Sequence, residues 1–314
     1  AGSSLSVCLV ESGTRDFEEE TQALYKGSVI GVSCGALDAS RLRFFGGSTN
    51  HWNGMCAPFE RADFDKHDWI KDSGWPIDYD TIIPYYARAQ KVCELGALDY
   101  KPDNWVKAKF PTFNENKLSL GMWQISPPTV FGERYGDELN NAQNIRLIFN
   151  ANLTSLNANE PVSLISTAIF RSLDGRELTI RAKKYVLACG GIENARMLLL
   201  SQSRSDNGLG NERGLVGRYF MEHLVWAPAA IMILKHSPNW WHVFLPNQIK
   251  KQGVEIFVGL GPGPKVRKRE QILNLAFMLY PHYHSVGSWS VAQIKNAILE
   301  GRISGELLEY LSFV

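Results

Sequence analysis

Apolar positions in this chain come in short runs set between glycine, proline and polar clusters, and the spacing within each run predicts an element. Leu5 to Val10 reads as a buried strand that ends at Glu11-Ser12-Gly13. Phe17 to Ser40 is mixed and irregular, and Asp63 to Trp69 reads as a short polar helix or loop. Asp80 is placed to cap a helix through Ile82, Ile83, Tyr86, Ala89, Gln90 and Val92, with Pro84 in its first turn. Tyr100 to Val130 is proline-rich and reads as loop with short extended pieces. Glu133 to Asn141 predicts a short helix, and Ile145 to Phe149 a strand that leads into the next.

Ser163–Arg171 and Arg176–Ala182 alternate on either side of Asp174-Gly175, a strong local signal for a hairpin. Tyr185 to Cys189 is a continuous apolar run, as expected of a strand deep in a parallel sheet. Gly190-Gly191 follows it, and a helix is predicted from Ile192 to Leu200. Beyond Leu224 the pattern changes to Trp- and Pro-rich extended segments, and from Val291 it turns helical again.

A chain of 314 residues can bury a substantial core and form one large domain or two. With 33 basic and 32 acidic residues, the formal net charge is +1, which gives no electrostatic case for nucleic acid or an anionic membrane. The run Leu224 to Leu234 contains Pro228 and is too short to span a bilayer. The five cysteines are widely spaced and form no Cys-x-x-Cys pair, so neither a zinc site nor a disulfide framework is expected.

Three segments carry candidate chemistry. Gly46-Gly47-Ser48-Thr49-Asn50-His51-Trp52 combines bare backbone, small polar groups, an imidazole and an indole, a set suited to a planar, hydrogen-bonding ring. Its plain alternative is a surface loop rich in turn formers. Glu11 stands at the tip of an early strand, where an acidic residue accepts hydrogen bonds from a nucleotide ribose. Its alternative is a solvated strand end. Strand, Gly190-Gly191 and helix form a second place where amides approach a ligand, with a tight packing turn as the alternative.

Together with Ser73-Gly74-Trp75-Pro76 and Leu215 to His223, these strings resemble the glucose-methanol-choline family of FAD-dependent oxidoreductases. The likeness is to its branch of pyranose oxidases and bacterial sugar dehydrogenases. The resemblance implies an α/β fold: a Rossmann-like, glutathione-reductase-type three-layer FAD domain (1–72 and 145–223). A second, α+β substrate domain on an antiparallel sheet (73–144 and 224–314) goes with it. It also implies FAD, with Glu11 at the adenosine ribose and Leu153 meeting the adenine edge through its backbone. Gly46, Gly47, Ser48, Thr49, Asn50, His51 and Trp52 would lie along the flavin, and Cys189 and Gly190 would pack near it. No metal is implied.

The family's phosphate-binding Gly-x-Gly-x-x-Gly turn and its C-terminal catalytic His/Asn pair have no counterpart here, and Pro281-His282-Tyr283-His284 lacks the right context. A fragment of low activity is therefore expected, and the catalytic residues stay unassigned. The expected function is oxidation of a sugar or other alcohol by hydride transfer to FAD, with oxygen, a quinone or a redox protein as electron acceptor. A non-catalytic binding protein on a degenerate flavoprotein scaffold is the alternative. A nicotinamide dehydrogenase would rest on Glu11 alone.

Overall fold

Pairing begins where the chain first runs apolar, and each later element joins one of two separate groups. The computed structural model describes residues 3–32, 35–106, 113–114, 116–127, 129–160, 164–203, 206–222, 241–244 and 249–279. In chain order the elements are β1 (Val7–Val10), α1 (Glu19–Gln22), β2 (Met55–Cys56), α2 (Tyr79–Val92), α3 (Pro102–Trp105), β3 (Leu118–Ile125), α4 (Phe131–Asn141) and β4 (Ile145–Ile148). There follow β5 (Asn152–Ala158), β6 (Ile165–Arg171), β7 (Glu177–Ile180), α5 (Gly191–Leu200), β8 (Ile249–Lys251), β9 (Val254–Pro262) and α6 (Pro264–Glu270).

The chain divides into two compact units: Ala1–Asn53 with Pro128–Ile233, and Gly54–Pro127 with Leu234–Val314. These breaks differ from the expected 72/73 and 144/145. Phe64 stacks with Trp75 and Tyr79, which draws residues after 53 into the second unit. Helix α4 lies against β4 and the glycine-rich turn, which keeps it in the first.

In the first unit β1 and β4 pair in parallel, from Val7 opposite Ile145 to Val10 opposite Ile148. Strands β5, β6 and β7 form an antiparallel sheet whose hairpin turns at Gly175 (φ 87°). Helix α5 packs on β5, tied by Leu156 N–H donating to Ser201 Oγ at 3.0 Å. Leu156 and Met197 are buried between them.

Two expectations fail in this unit. Strand β1 is not buried: Val7 and Leu9 remain 41% and 39% exposed, since β4 is its only strand neighbour among the described residues. Tyr185 to Cys189 is not a strand. No described strand pairs with it; the Asn194 amide accepts from Cys189 N–H at 3.0 Å and donates to Leu187 O at 3.2 Å.

The second unit is organised on an antiparallel sheet in the order β2-β3-β9-β8. Strand β3, eight residues long, falls within the stretch expected to be loop with short extended pieces. Its alternation is real, but the polar Gln124 occupies an inward position and hides it. Ile256 and Val258 of β9 are fully buried with Val243, Phe244 and Met122. Helix α2 is capped by Asp78, not Asp80: the Asp78 carboxylate accepts from Thr81 N–H at 2.7 Å, while Asp80 pairs with Arg61. Pro84 is the sixth helical residue, past the first turn, so the Asp80 carbonyl loses its usual intrahelical donor. Among the described residues no helix is long and apolar enough to cross a membrane. His223, Trp226, Trp240, the 281–284 string and everything from Val291 lie outside the described residues.

Gln124 is completely buried and joins three segments. Its Oε1 accepts from Gly96 N–H at 2.8 Å and from Gln90 Nε2 at 3.3 Å, and its Nε2 donates to Ala97 O at 2.8 Å. Gln124→Leu keeps the volume but strands these partners. The expected loss is about 2–4 kcal/mol in urea unfolding; a change within about 0.5 kcal/mol would show that the amide contributes nothing.

Candidate functional site

The candidate site belongs to the first unit and starts at the tip of β1. Glu11 N–H donates to Ile148 O at 2.8 Å, which extends the parallel pairing by one residue. The Glu11 carboxylate then accepts from Gly13 N–H at 2.9 Å and closes the turn. At Gly13 a Cβ would stand 2.3 Å from the Arg43 carbonyl oxygen. Only glycine lets the segment before the paired glycines cross the strand tip this closely. The crossing is tied by Phe45 N–H donating to Thr14 O at 2.9 Å and by Arg43 Nε donating to Ser12 Oγ at 2.7 Å. Ser12 Oγ in turn donates to Asn152 Oδ1 on β5 at 2.5 Å.

A charged cluster fills the space beside this crossing. Glu193, in the first turn of α5, is 5% exposed. Its carboxylate receives Arg41 at 3.0 Å, Arg43 at 3.6 Å and Arg196 at 3.2 Å. The Arg41 and Arg43 guanidiniums stand over the Tyr25 ring, 4.0 and 4.6 Å from its centroid. Burial raises the Tyr25 hydroxyl above the ordinary tyrosine value, opposed by the two arginines. Gln22 fixes the segment by donating to Asp38 O and Arg41 O and accepting from Arg43 N–H.

Cys189 and Gly190 directly precede α5, whose first turn carries Glu193. Cys189 is solvent-accessible, yet enough protein surrounds its thiol for desolvation to raise its pKa. Arg43 opposes the rise, and Glu193 and Glu11 add to it. Gly190 has φ 87°, and a Cβ built on Gly190 or Gly191 meets nothing within 4 Å. Main-chain groups at the start of α5 are therefore open to a ligand.

The glycine-rich segment forms a 3-10 turn over Gly47–Asn50, entered through Gly46 in the left-handed region at φ 94°. A Cβ at Gly46 would lie 2.9 Å from Gly132 N, so Gly46 serves the approach of α4. Thr49 Oγ1 donates to Gly46 O and accepts from Phe131 N–H. The Asn50 amide donates to Phe45 O and Gly47 O. The Trp52 indole donates to Thr129 O at 3.2 Å and stacks edge-on with Phe131. Ser48 and His51 are exposed, and Gly47 has open space at its Cβ position. Leu153 pairs with Phe170 just before an irregularity in the β5–β6 ladder. A separate cleft of about 360 Å³ lies on the α4 side, lined by Arg15, Phe17, Phe44, Asn50 and Asp137 among others.

The residues singled out from sequence thus separate into three sets, with Leu153 apart from them on β5. Glu11 stands at the tip of β1 and Cys189 and Gly190 at the start of α5, while Gly47, Ser48 and His51 present open surface. Gly46, Thr49, Asn50 and Trp52 are engaged with the protein itself. Tyr25, Arg41 and Arg43 were missed as site residues. Their signal was the Arg-x-Arg spacing in an extended stretch, which points both cations to one side.

No protein-family model matches the chain. It is 25% identical over 230 residues to 2-methyl-1,2-propanediol dehydrogenase of Mycolicibacterium austroafricanum, covering 60% of this chain and 42% of the relative. It is 25% identical over 223 residues to the fructose dehydrogenase large subunit of Gluconobacter japonicus, covering 57% and 40%. Paromamine 6'-oxidase of Streptomyces fradiae is 25% identical over 213 residues, covering 55% and 39%. The chain therefore spans about two-fifths of the length of these curated relatives, all of them oxidoreductases by name. A solved structure of Aspergillus oryzae formate oxidase, from work on FAD modification, has a TM-score of 0.35 at 15% identity. It covers 63% of this chain and 43% of that one, a likeness too slight to bear on the site.

Removing the Glu193 charge tests the cluster. The Arg41 and Arg43 side chains, 15% and 11% exposed, would lose their shared counter-ion. Glu193→Gln is expected to cost about 3 kcal/mol in urea unfolding. It should also free Tyr25, seen as a change in near-ultraviolet circular dichroism. A variant as stable as the parent, with an unchanged spectrum, would remove the cluster from the account of the site.

Proposed function

We propose that the whole protein is an FAD-dependent oxidoreductase of the glucose-methanol-choline type that oxidises an alcohol or sugar CH–OH group. The observation that carries this reading is the arrangement around Arg43, which bonds Ser12 beside Glu11 at the strand tip and pairs with Glu193 in the first turn of α5, next to the bare backbone of Gly190-Gly191. The parallel β1–β4 pair supports a Rossmann-like, three-layer arrangement for this unit. The names of the relatives support the reaction class, since two of them specify a diol and a sugar.

The residues present fit the cofactor at the positions where backbone is open. Gly47 and Gly190 leave room for a flat group, and Ser48 and His51 offer exposed polar atoms beside it. Glu11 would accept hydrogen bonds from the ribose, and Leu153 would meet the adenine through its main chain. Gly46, Thr49, Asn50 and Trp52 would shape the wall behind the ring, since their groups already serve the turn and α4. Bound FAD would supply the hydride acceptor. The chain's own part is to bind and orient: Arg43, bonded to Ser12, fixes the strand tip that carries Glu11. Cys189 would pack near the ring, and no residue is assigned as the base. An oxygen, quinone or protein acceptor would complete the turnover.

Expressed from its complete reading frame, the protein is expected to be yellow, with flavin absorbance that bleaches on anaerobic addition of an oxidisable alcohol or sugar. Glu11→Gln should weaken flavin retention about tenfold, the worth of one charge-assisted hydrogen bond. A folded, colourless protein that takes up no added FAD would sink this reading and favour a non-catalytic binding protein on the same scaffold.

A further inference from the structure

Trp75 of the Ser73-Gly74-Trp75-Pro76 turn is 56% exposed, yet its position is fixed from several sides. Its N–H donates to Phe64 O at 3.2 Å. Gly74 lies in the left-handed region at φ 93°, where a Cβ would stand 3.3 Å from the Lys66 Cα. Ser73 Oγ accepts from His67 N–H at 2.9 Å and donates to His67 O at 3.0 Å, which closes the loop between them. The buried Phe64 ring packs against the indole at 6.2 Å and against Tyr79 at 6.0 Å. Phe59, also more than half exposed, sets its ring 6.4 Å from Trp75. Two neighbouring aromatic rings held in place at the surface form an apolar patch that points to a ligand.

Trp75 borders a cleft of about 470 Å³ that lies wholly in the second unit, lined by Arg61, Phe64, Asp65, Lys66 and Tyr79 among others. That volume suits a small molecule. The charged lining groups are two cations, Arg61 and Lys66, against two carboxylates, Asp65 and Asp78, so neither sign is in excess. Arg61 is committed to both Asp80 oxygens, at 2.9 and 2.6 Å, and Asp78 caps α2. The Asp65 carboxylate and the Lys66 ammonium make no hydrogen bond or ion pair among the described residues. The matching ligand has an apolar face, an edge of groups that both donate and accept, and no net charge. We propose that this cleft binds a saccharide, with one sugar ring laid on the Trp75 indole and its hydroxyls on Asp65 and Lys66. The C–H groups on one face of a pyranose carry partial positive charge and meet the electron-rich face of an aromatic ring. The carboxylate accepts from hydroxyls, and the ammonium donates to them. A charged ligand would gain from one of the two side chains and be opposed by the other. A flat aromatic ligand would stack but offers no rim of hydroxyls. The assignment concerns the second unit alone and does not depend on the FAD reading.

The test titrates the full chain with methyl β-glucoside, methyl β-galactoside and cellobiose, read by saturation-transfer NMR and by calorimetry. At least one sugar should bind with a Kd in the millimolar range, its ring C–H protons taking the strongest saturation. Trp75→Ala should weaken that binding about tenfold or more. Asp65→Ala should weaken it severalfold, and Asp65→Asn, which keeps an acceptor, should restore most of it. Tyr85→Ala, at an exposed aromatic outside the cleft, should leave it unchanged. Asp65 is exposed, so its variants carry the test even if Trp75→Ala fails to fold. Absence of binding by the parent chain at about 20 mM of each sugar would overturn the proposal. Binding that survives Trp75→Ala and Asp65→Ala unchanged would overturn it too, because the sugar would then sit elsewhere. Trp75-dependent binding of adenosine, with none of the sugars bound, would replace the saccharide with a planar aromatic ligand.

Discussion

Burying a carboxylate is costly unless cations and hydrogen bonds replace the water it loses, and Glu193 meets that requirement with Arg41 and Arg43 from a distant segment and Arg196 from its own helix. The consequence is positional. Arg41 and Arg43 must lie within reach of the first turn of α5, so the stretch leading into the paired glycines is held beside Gly190. Arg43 must also reach Ser12, which brings the tip of β1 to the same place. One buried negative charge thereby sets the relative positions of the strand-end acid, the glycine-rich turn and the open start of a helix. Tyr25 gives both guanidiniums a flat surface and removes the freedom they would otherwise keep.

The second unit solves a similar problem without charge. Its sheet carries an uncharged amide at an inward position, and Gln124 satisfies backbone groups of the 96–99 turn, sharing Ala97 O with Gln90 and Asp99 O with Trp105. The aliphatic part of the core, built on Ile256 and Val258, supplies burial, while the amide supplies registration between α2 and the sheet.

Much of this was legible in the order of residues. Local signals did well where the physics is local: the Asp174-Gly175 hairpin, the helix opening at Gly191, and the strand at Ile145 all form close to their expected limits. They failed where the partner is remote. The apolar run at Tyr185 reads as a strand, but a strand exists only with a ladder neighbour, and among the described residues none pairs with it. Strand β3 was masked by the polar residue that its partners require. In the glycine-rich segment, composition indicated bare backbone and polar groups. It could not say that Thr49, Asn50 and Trp52 would face α4, because that depends on Gly132 lying against Gly46.

The glycines of the first unit divide by what occupies their missing side chain. At Gly13 the space is taken by the Arg43 carbonyl, and at Gly46 by the Gly132 amide. At Gly47, Gly190 and Gly191 it is vacant. The first kind lets one part of the polypeptide touch another, and a methyl group there would push those segments apart. The second kind leaves a methyl nothing to strike within the chain. Gly191 has ordinary backbone angles, so little in the protein itself demands glycine there; an object from outside the chain, pressed against that backbone, would.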